Sequence, residues 1–300
     1  MSDVTGLILR ELQYLLFTSA GVVVGVVAMH YLLSREELVN ALSKLGGWMT
    51  RLSGLPGQCS LPFVTSLFSP STGSSMLATM YSEGKLSRRE LYIASLINTF
   101  PAFLSHLRTL VPVLLSTMGL YGFIYLGLLV AMSSTQLAVF AAVGRAFLKG
   151  RSEVPTLRDA WKVNNKLNPR KVLRLLLRIM SLIAATSLAF TTLDVLGVYE
   201  LLNVYLSQAL SFLNPYAVSI VVAYMVSDTA AFAVAGILLN NGHSGIEVLE
   251  WLLVGYVISS LFRGLRHIAP YYLAAYGPRD GLLILLISTS TRALIALSFL

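Results

Sequence analysis

Apolar residues in this chain come in runs about as long as a bilayer is thick, with short polar punctuation between them. "YLLFTSAGVVVGVVAMHYLL" (14–33), "IYLGLLVAMSSTQLAVFAAVG" (124–144) and "IMSLIAATSLAFTTLDVLGV" (179–198) carry few or no charges. Each is close to the roughly 20 residues a helix needs to cross hydrocarbon. Two other stretches, "SREELVNALSKLGGWMTRL" (34–52) and "YELLNVYLSQALSFL" (199–213), place apolar residues at helical spacing and predict helices lying in the interface. Two more are apolar but broken by small polar residues, Ser69 to Gly73 in one and Ser227 to Thr229 in the other. The pattern predicts an all-α, polytopic membrane protein; a β-barrel would need short alternating segments instead.

The order of these elements occurs twice. A membrane helix (about 12–33, then 174–196) leads to the interfacial stretch, the broken segment, a long helix and a closing helix. "LRTLVPVLLSTMG" (107–119) and "LRHIAPYYLAAYG" (265–277) share the frame Leu-Arg-x3-Pro-x2-Leu-x3-Gly at an offset of 158 positions. The same offset pairs Ser69 with Ser227 and Gly84 with Gly242. The chain therefore divides into a first membrane repeat, 1–145, a basic connection, 146–170, and a second membrane repeat, 171–300. Internal duplication of this kind marks many secondary transporters.

Composition agrees with the pattern: 56% of the 300 residues are hydrophobic and 12% charged, well below the roughly 25% charged of soluble domains. The net charge of +8 does not point to nucleic acid, because residues 145–178 hold ten of the 22 basic side chains. Positive-inside logic puts this connection in the cytoplasm, against anionic headgroups. The loop after the first break contains Lys85, Arg88 and Arg89, whereas its counterpart, 240–250, has no lysine or arginine and two glutamates. Opposite charge signatures predict opposite sides of the membrane. The repeats are then inverted, with three crossings each, and each broken segment enters and leaves on one side as a re-entrant hairpin. The N-terminus lacks the basic region and cleavage site of a removable signal peptide.

The chemistry concentrates at the breaks. A helix breaks at membrane depth only inside protein or beside water, and the freed N–H groups of a half-helix face a polar solute. In "SPSTG", Pro70 stops one half-helix, and Ser71 or Thr72 is placed to cap the next. In "SDT", Asp228 stands in an otherwise apolar run, where a carboxylate costs about 2.5–3.5 kcal/mol on insertion scales. Asp228 is therefore the candidate ligand for a coupling ion, Na⁺ or H⁺, with capping of the second half-helix as the simpler role. Arg108 and Arg266 either clamp helix carbonyls or contact an anionic solute; Arg263, one turn before Arg266, has no counterpart in the first repeat. The single cysteine, Cys59, excludes a disulfide framework or multi-thiolate metal site. No phosphate-loop, zinc-protease or nucleophile-elbow motif occurs, so neither an enzyme nor a resident cofactor is expected.

"GLPGQCSLPFVTSLFSPSTGSSMLATM" followed by "GKLSRRELYIASLINTFPAFLSHLR" resembles the Gate, or nucleoside-recognition, membrane module. That module is shared by ferrous-iron transport protein B and the concentrative nucleoside transporters. The resemblance rests on Gly57, Cys59 and Pro62, on the polar break, and on the basic-glutamate loop before a proline-bearing helix. It implies an inverted-repeat fold with a solute site between the repeats. The expected protein is a cell-membrane secondary transporter for a small polar or anionic solute such as a nucleoside, working by alternating access. Ser69, Ser71, Thr72, Gly73, Ser227, Asp228 and Thr229 would line its site where the two hairpins meet. A homo-oligomer fits, since a small repeat pair needs walls. A non-transporting scaffold or partner subunit is the competing expectation.

Overall fold

In the computed structural model the described residues are 46–148 and 214–300, with Leu177 and Tyr205. Apart from Leu177 and Tyr205, the predicted helices at 12–33, 174–196 and 199–213, most of 34–52, and the basic connection from 149 onward lie outside them. Among the described residues every regular element is helical and no strand occurs. Helical residues 46–53 and a 3₁₀ turn, Gly57–Cys59, lead into α1, Ser60–Ser66. Then come α2, Pro70–Ser82, α3, Arg88–Ile97, and α4, Thr99–Phe147. After residue 213 follow α5, Pro215–Val226, α6, Asp228–Asn240, and α7, Gly245–Arg263. A π turn, Gly264–Ile268, α8, Ala269–Tyr276, and α9, Pro278–Leu297, close the chain.

The breaks fall where the sequence places them, but capping follows a different rule. Ser69 is extended (φ −144°, ψ 96°), and its Oγ accepts from the Thr72 N–H at 3.4 Å. Proline drives the residue before it out of the helical region, and it suits the first helical position because its missing N–H is not needed there. Pro70 therefore opens α2 rather than closing α1, and Ser69 is the cap, not Ser71 or Thr72. In the second break, one extended residue, Ser227 (φ −167°, ψ 157°), separates α5 from α6, and its Oγ accepts from the Ala230 N–H at 3.0 Å. The capping role considered for Asp228 belongs to Ser227, and Asp228 is the first residue of the helix. Its charge there is favoured by the helix dipole.

Local geometry repeats at the 158 offset. Both post-break helices have 13 residues. They end at Glu83 (φ −86°, ψ 3°) and Asn241 (φ −80°, ψ 3°), followed by Gly84 at φ 72° and Gly242 at φ 87°. Gly119 kinks α4 at φ 55°, and Gly277 divides α8 from α9 at φ 85°. Only glycine holds such left-handed angles without a Cβ penalty. Ahead of each, a proline removes the N–H that would bond the carbonyl four residues back, that of Arg108 for Pro112 and of Arg266 for Pro270. Around Arg266 the backbone shifts to i→i−5 bonding, with Ala269 N–H on the Gly264 carbonyl.

The residues group into two units. One takes 46–105, 136–148 and 270–284; the other takes 106–135, 214–269 and 285–300. The first buries Phe63, Leu77, Leu91 and Ile97, and the second Leu114, Tyr125, Ile220, Tyr224 and Phe232. Between apolar helices in lipid, close approach and polar contacts hold more than burial does. Gly73 of α2 fits against Ser66 and the Pro62 carbonyl of α1, and Gly236 of α6 against the Thr117 carbonyl. Arg88 Nε and Nη2 and the Tyr92 hydroxyl all donate to Asp280 Oδ1, at 3.1, 2.6 and 2.7 Å, fixing α3 to the start of α9 within the first unit. A capping box of Ser87 and Glu90 starts α3.

Three helices among the described residues are long and apolar enough to cross a membrane: Thr109–Phe147, Gly245–Arg263 and Pro278–Leu297. α5 and α6 are apolar but too short. The protein is an all-α, membrane-associated chain.

Candidate functional site

The break in the second unit holds an ion pair. Asp228, at the start of α6, accepts through Oδ1 from Arg263 Nη1 at the end of α7. The acid that stands alone in the sequence therefore has a basic partner 35 residues on. Arg263 Nη2 reaches the Tyr256 carbonyl at 3.4 Å. The guanidinium lies over two rings, 4.8 Å from the Tyr224 centroid and 4.7 Å from that of Tyr256. Its Nε is buried without a partner. α5, α6 and α7 each contribute one wall. Gly255 makes this possible, because a Cβ there would meet the Tyr224 ring at 2.9 Å and Ile220 at 3.2 Å.

Behind the ion pair runs a buried aromatic layer. The Tyr224 and Tyr125 hydroxyls are 2.6 Å apart, and both residues are buried. Phe232 sets its ring edge-on to each, at 5.9 and 5.8 Å. Arg263 is 16% exposed in its side chain and Asp228 46%, so the carboxylate is the wetter partner. Chemically, a guanidinium of this kind is able to donate to an anion, and the carboxylate to accept from a cation.

The break in the first unit is neutral. Ser69 Oγ lies 2.7 Å from Thr72 Oγ1 and 3.2 Å from Ser71 Oγ, so three hydroxyls share one turn. The Tyr271 hydroxyl donates to the Pro70 and Ser71 carbonyls at 2.6 and 3.2 Å. Of the residues expected to line a site, Ser69 and Ser71 are half-buried, Thr72 and Gly73 are buried, Ser227 and Asp228 are half-buried and Thr229 is exposed. Gly73 faces α1, which makes it a packing position. The structure brings Ser69, Ser71 and Thr72 together in one unit and Ser227 and Asp228 together with Arg263 in the other. The Arg108 and Arg266 side chains lie outside the described residues.

Cys59, at the mouth of the first hairpin, is fully buried. Burial, and after it the charge of Glu90, pushes its thiol well above the ordinary range. It stays protonated and packs as a small apolar side chain. Gln58 Nε2 donates to the Lys85 carbonyl at 3.0 Å and ties the mouth to the basic loop. No cluster of three histidine, cysteine or acidic side chains fit for a metal occurs among the described residues.

Sequence reasoning saw Arg263 without giving it a role. A usable signal was present: from Ile179 to Phe262 the only basic-type side chain is His243, and Arg263 ends that run. An acid inside hydrocarbon needs a base, and Arg263 is the first strong one after it.

The chain is similar over 278 residues to the uncharacterized protein MJ1556 of Methanocaldococcus jannaschii, at 32% identity, covering 89% of this chain and 88% of the relative. Two further uncharacterized proteins of that organism are similar nearly end to end. MJ0871 is 26% identical over 290 residues, covering 94% of this chain and 90% of its own. MJ0880 is 23% identical over 294 residues, covering 94% of each. No family model and no solved structure matches.

Proposed function

For this chain, which belongs to the same family as the uncharacterized protein MJ1556 of Methanocaldococcus jannaschii, we propose a secondary membrane transporter, of Gate type, for a small polar or anionic solute. The observation that carries the reading is the Asp228–Arg263 pair at the helix break between two apolar helices, α5 and α6. Ionisable groups inside hydrocarbon are costly and mark substrate or ion pathways. A broken helix with its N-terminal N–H groups freed is the usual place for a transporter's solute. The pair supplies both a docking point for an anion and a carboxylate for a coupling ion.

The architecture proposed with it is two inverted repeats, each with an interfacial helix and a re-entrant broken hairpin, and a cytoplasmic basic connection. Matched caps, matched 13-residue helices and matched left-handed glycines at one offset support the duplication. The opposite charge of the loops after the two breaks supports inversion. Alternating access would come from movement of one repeat against the other.

The test is solute flux in proteoliposomes against a panel of nucleosides and small organic anions, with Asp228→Asn alongside. Uptake that drops at least tenfold in the variant supports the reading. Uptake unchanged in the variant removes the pair from the mechanism. No uptake of any panel member, with folded protein in the bilayer, favours a scaffold or partner subunit instead.

A further inference from the structure

Three helices of the second unit carry uncharged stretches of one length. Eleven residues lie between Tyr216 and Asp228, eleven between Asp228 and Asn240, and eleven between Trp251 and Arg263, none of them charged. The Asp228–Arg263 pair closes these stretches at one end. At the other end stand three rings: Tyr216 at the start of α5, His243 in the turn after α6, and Trp251 in the second turn of α7. The Tyr216 and His243 centroids are 4.2 Å apart. Trp251 stacks on Tyr216 at 5.9 Å, with 25° between the planes, and lies 5.8 Å from His243. Helical side chains tilt toward the N-terminus, which carries the Trp251 ring back to the level of that turn. Tyr121 adds a ring over Gly245, the first residue of α7, and leaves no room there for a Cβ. The cluster is open to its surroundings: Tyr216 is 45% exposed, and His243 and Trp251 are half-buried.

Polarity changes at these rings. Asn240, Asn241, Glu247 and Glu250 are exposed, and Glu250 immediately precedes Trp251. Beyond Trp251 no charge occurs until Arg263. Tyrosine and tryptophan, with an apolar body and a hydrogen-bonding tip, settle where water gives way to hydrocarbon. Length fits the same partner. Eleven helical residues cover about 17 Å, and half of a bilayer's hydrocarbon is about 15 Å. Residues 214–262 contain no lysine or arginine, so attraction to anionic headgroups does not seat this part of the chain. We propose that Tyr216, His243 and Trp251 form a docking surface for the lipid headgroup layer. Seated there, they hold the Asp228–Arg263 pair near the centre of the bilayer. The proposal does not rest on transport, since a scaffold in the same membrane would be seated in the same way.

The test is tryptophan fluorescence of the full-length protein in phosphatidylcholine vesicles whose acyl chains carry bromine either near the headgroup or near the bilayer centre. Trp48→Phe and Trp161→Phe leave Trp251 as the only indole. Adding Trp251→Phe and Leu261→Trp moves the indole to an exposed position two residues before Arg263. Trp251 should be quenched at least about twofold more by the shallow bromine than by the deep one, and the indole at 261 should show the reverse order. If the background substitutions unfold the protein, as circular dichroism reports, the difference between the parent and Trp251→Phe gives the Trp251 profile directly. The proposal is overturned if the deep bromine quenches Trp251 as well as the shallow one does. It is equally overturned if aqueous iodide quenches Trp251 and neither lipid does, which would mark a surface for a water-borne partner. Shallow quenching of the indole at 261 would remove the central position of the ion pair.

Discussion

Neutralising one partner of the Asp228–Arg263 pair should cost more than neutralising both would suggest. Removing one side of a fully buried pair costs about 3–5 kcal/mol, because the survivor keeps its charge without compensation. Here the Asp228 side chain is 46% exposed and Arg263 16%. Solvent screens the wetter partner, so Asp228→Asn is expected to cost about 1.5–3 kcal/mol. The two rings facing Arg263 continue to hold the cation and limit the loss. Arg263→Met surrenders those contacts as well and should cost about 2–4 kcal/mol, while leaving Asp228 free to hydrate. The double variant should then cost about 1–2 kcal/mol less than the sum of the singles. SDS unfolding of the three variants and the parent in mixed micelles measures this cycle. Additivity to within about 0.5 kcal/mol would refute the pair as an energetic unit.

Cys59 should resist maleimide at neutral pH in the folded protein and react once unfolded, because its raised thiol is both protonated and enclosed; rapid native labelling would contradict its burial. Gly73→Ala places a methyl against Ser66 and 2.6 Å from the Pro62 carbonyl, and should destabilise by about 1–3 kcal/mol in the same unfolding assay. A melting curve no lower than the parent's would show that α1 and α2 are not held that closely. Glu83 and Asn241 are exposed caps at matching positions. In a Cys59→Ser background, Glu83→Cys and Asn241→Cys should label from opposite sides of the membrane, and same-side labelling would end the inverted-repeat proposal.

The helices that the described residues contain were legible because apolar length is a coarse property. The span at 124–144 lies wholly within α4, and both breaks fall on the small polar residues that interrupt their runs. Which residue caps was less legible: Ser69 and Ser227 win because the chain must be extended at that point, and proline enforces it at Ser69. Partner choice was hidden. Arg263 reaches Asp228 only once α5 and α7 pack, and its position in the duplicated frame corresponds to Ser105, so internal symmetry gives no hint of it.

The way the chain is shared out has a consequence for anyone who cuts it. Residues 270–284 complete the unit that holds α1 to α3, and residues 106–135 complete the one that holds α5 to α7. Two polypeptides separated within 149–213 would each carry the other's missing piece. Neither fragment should mature by itself, and activity should return only when both are made in the same cell, so the two halves of the gene are bound to a common fate.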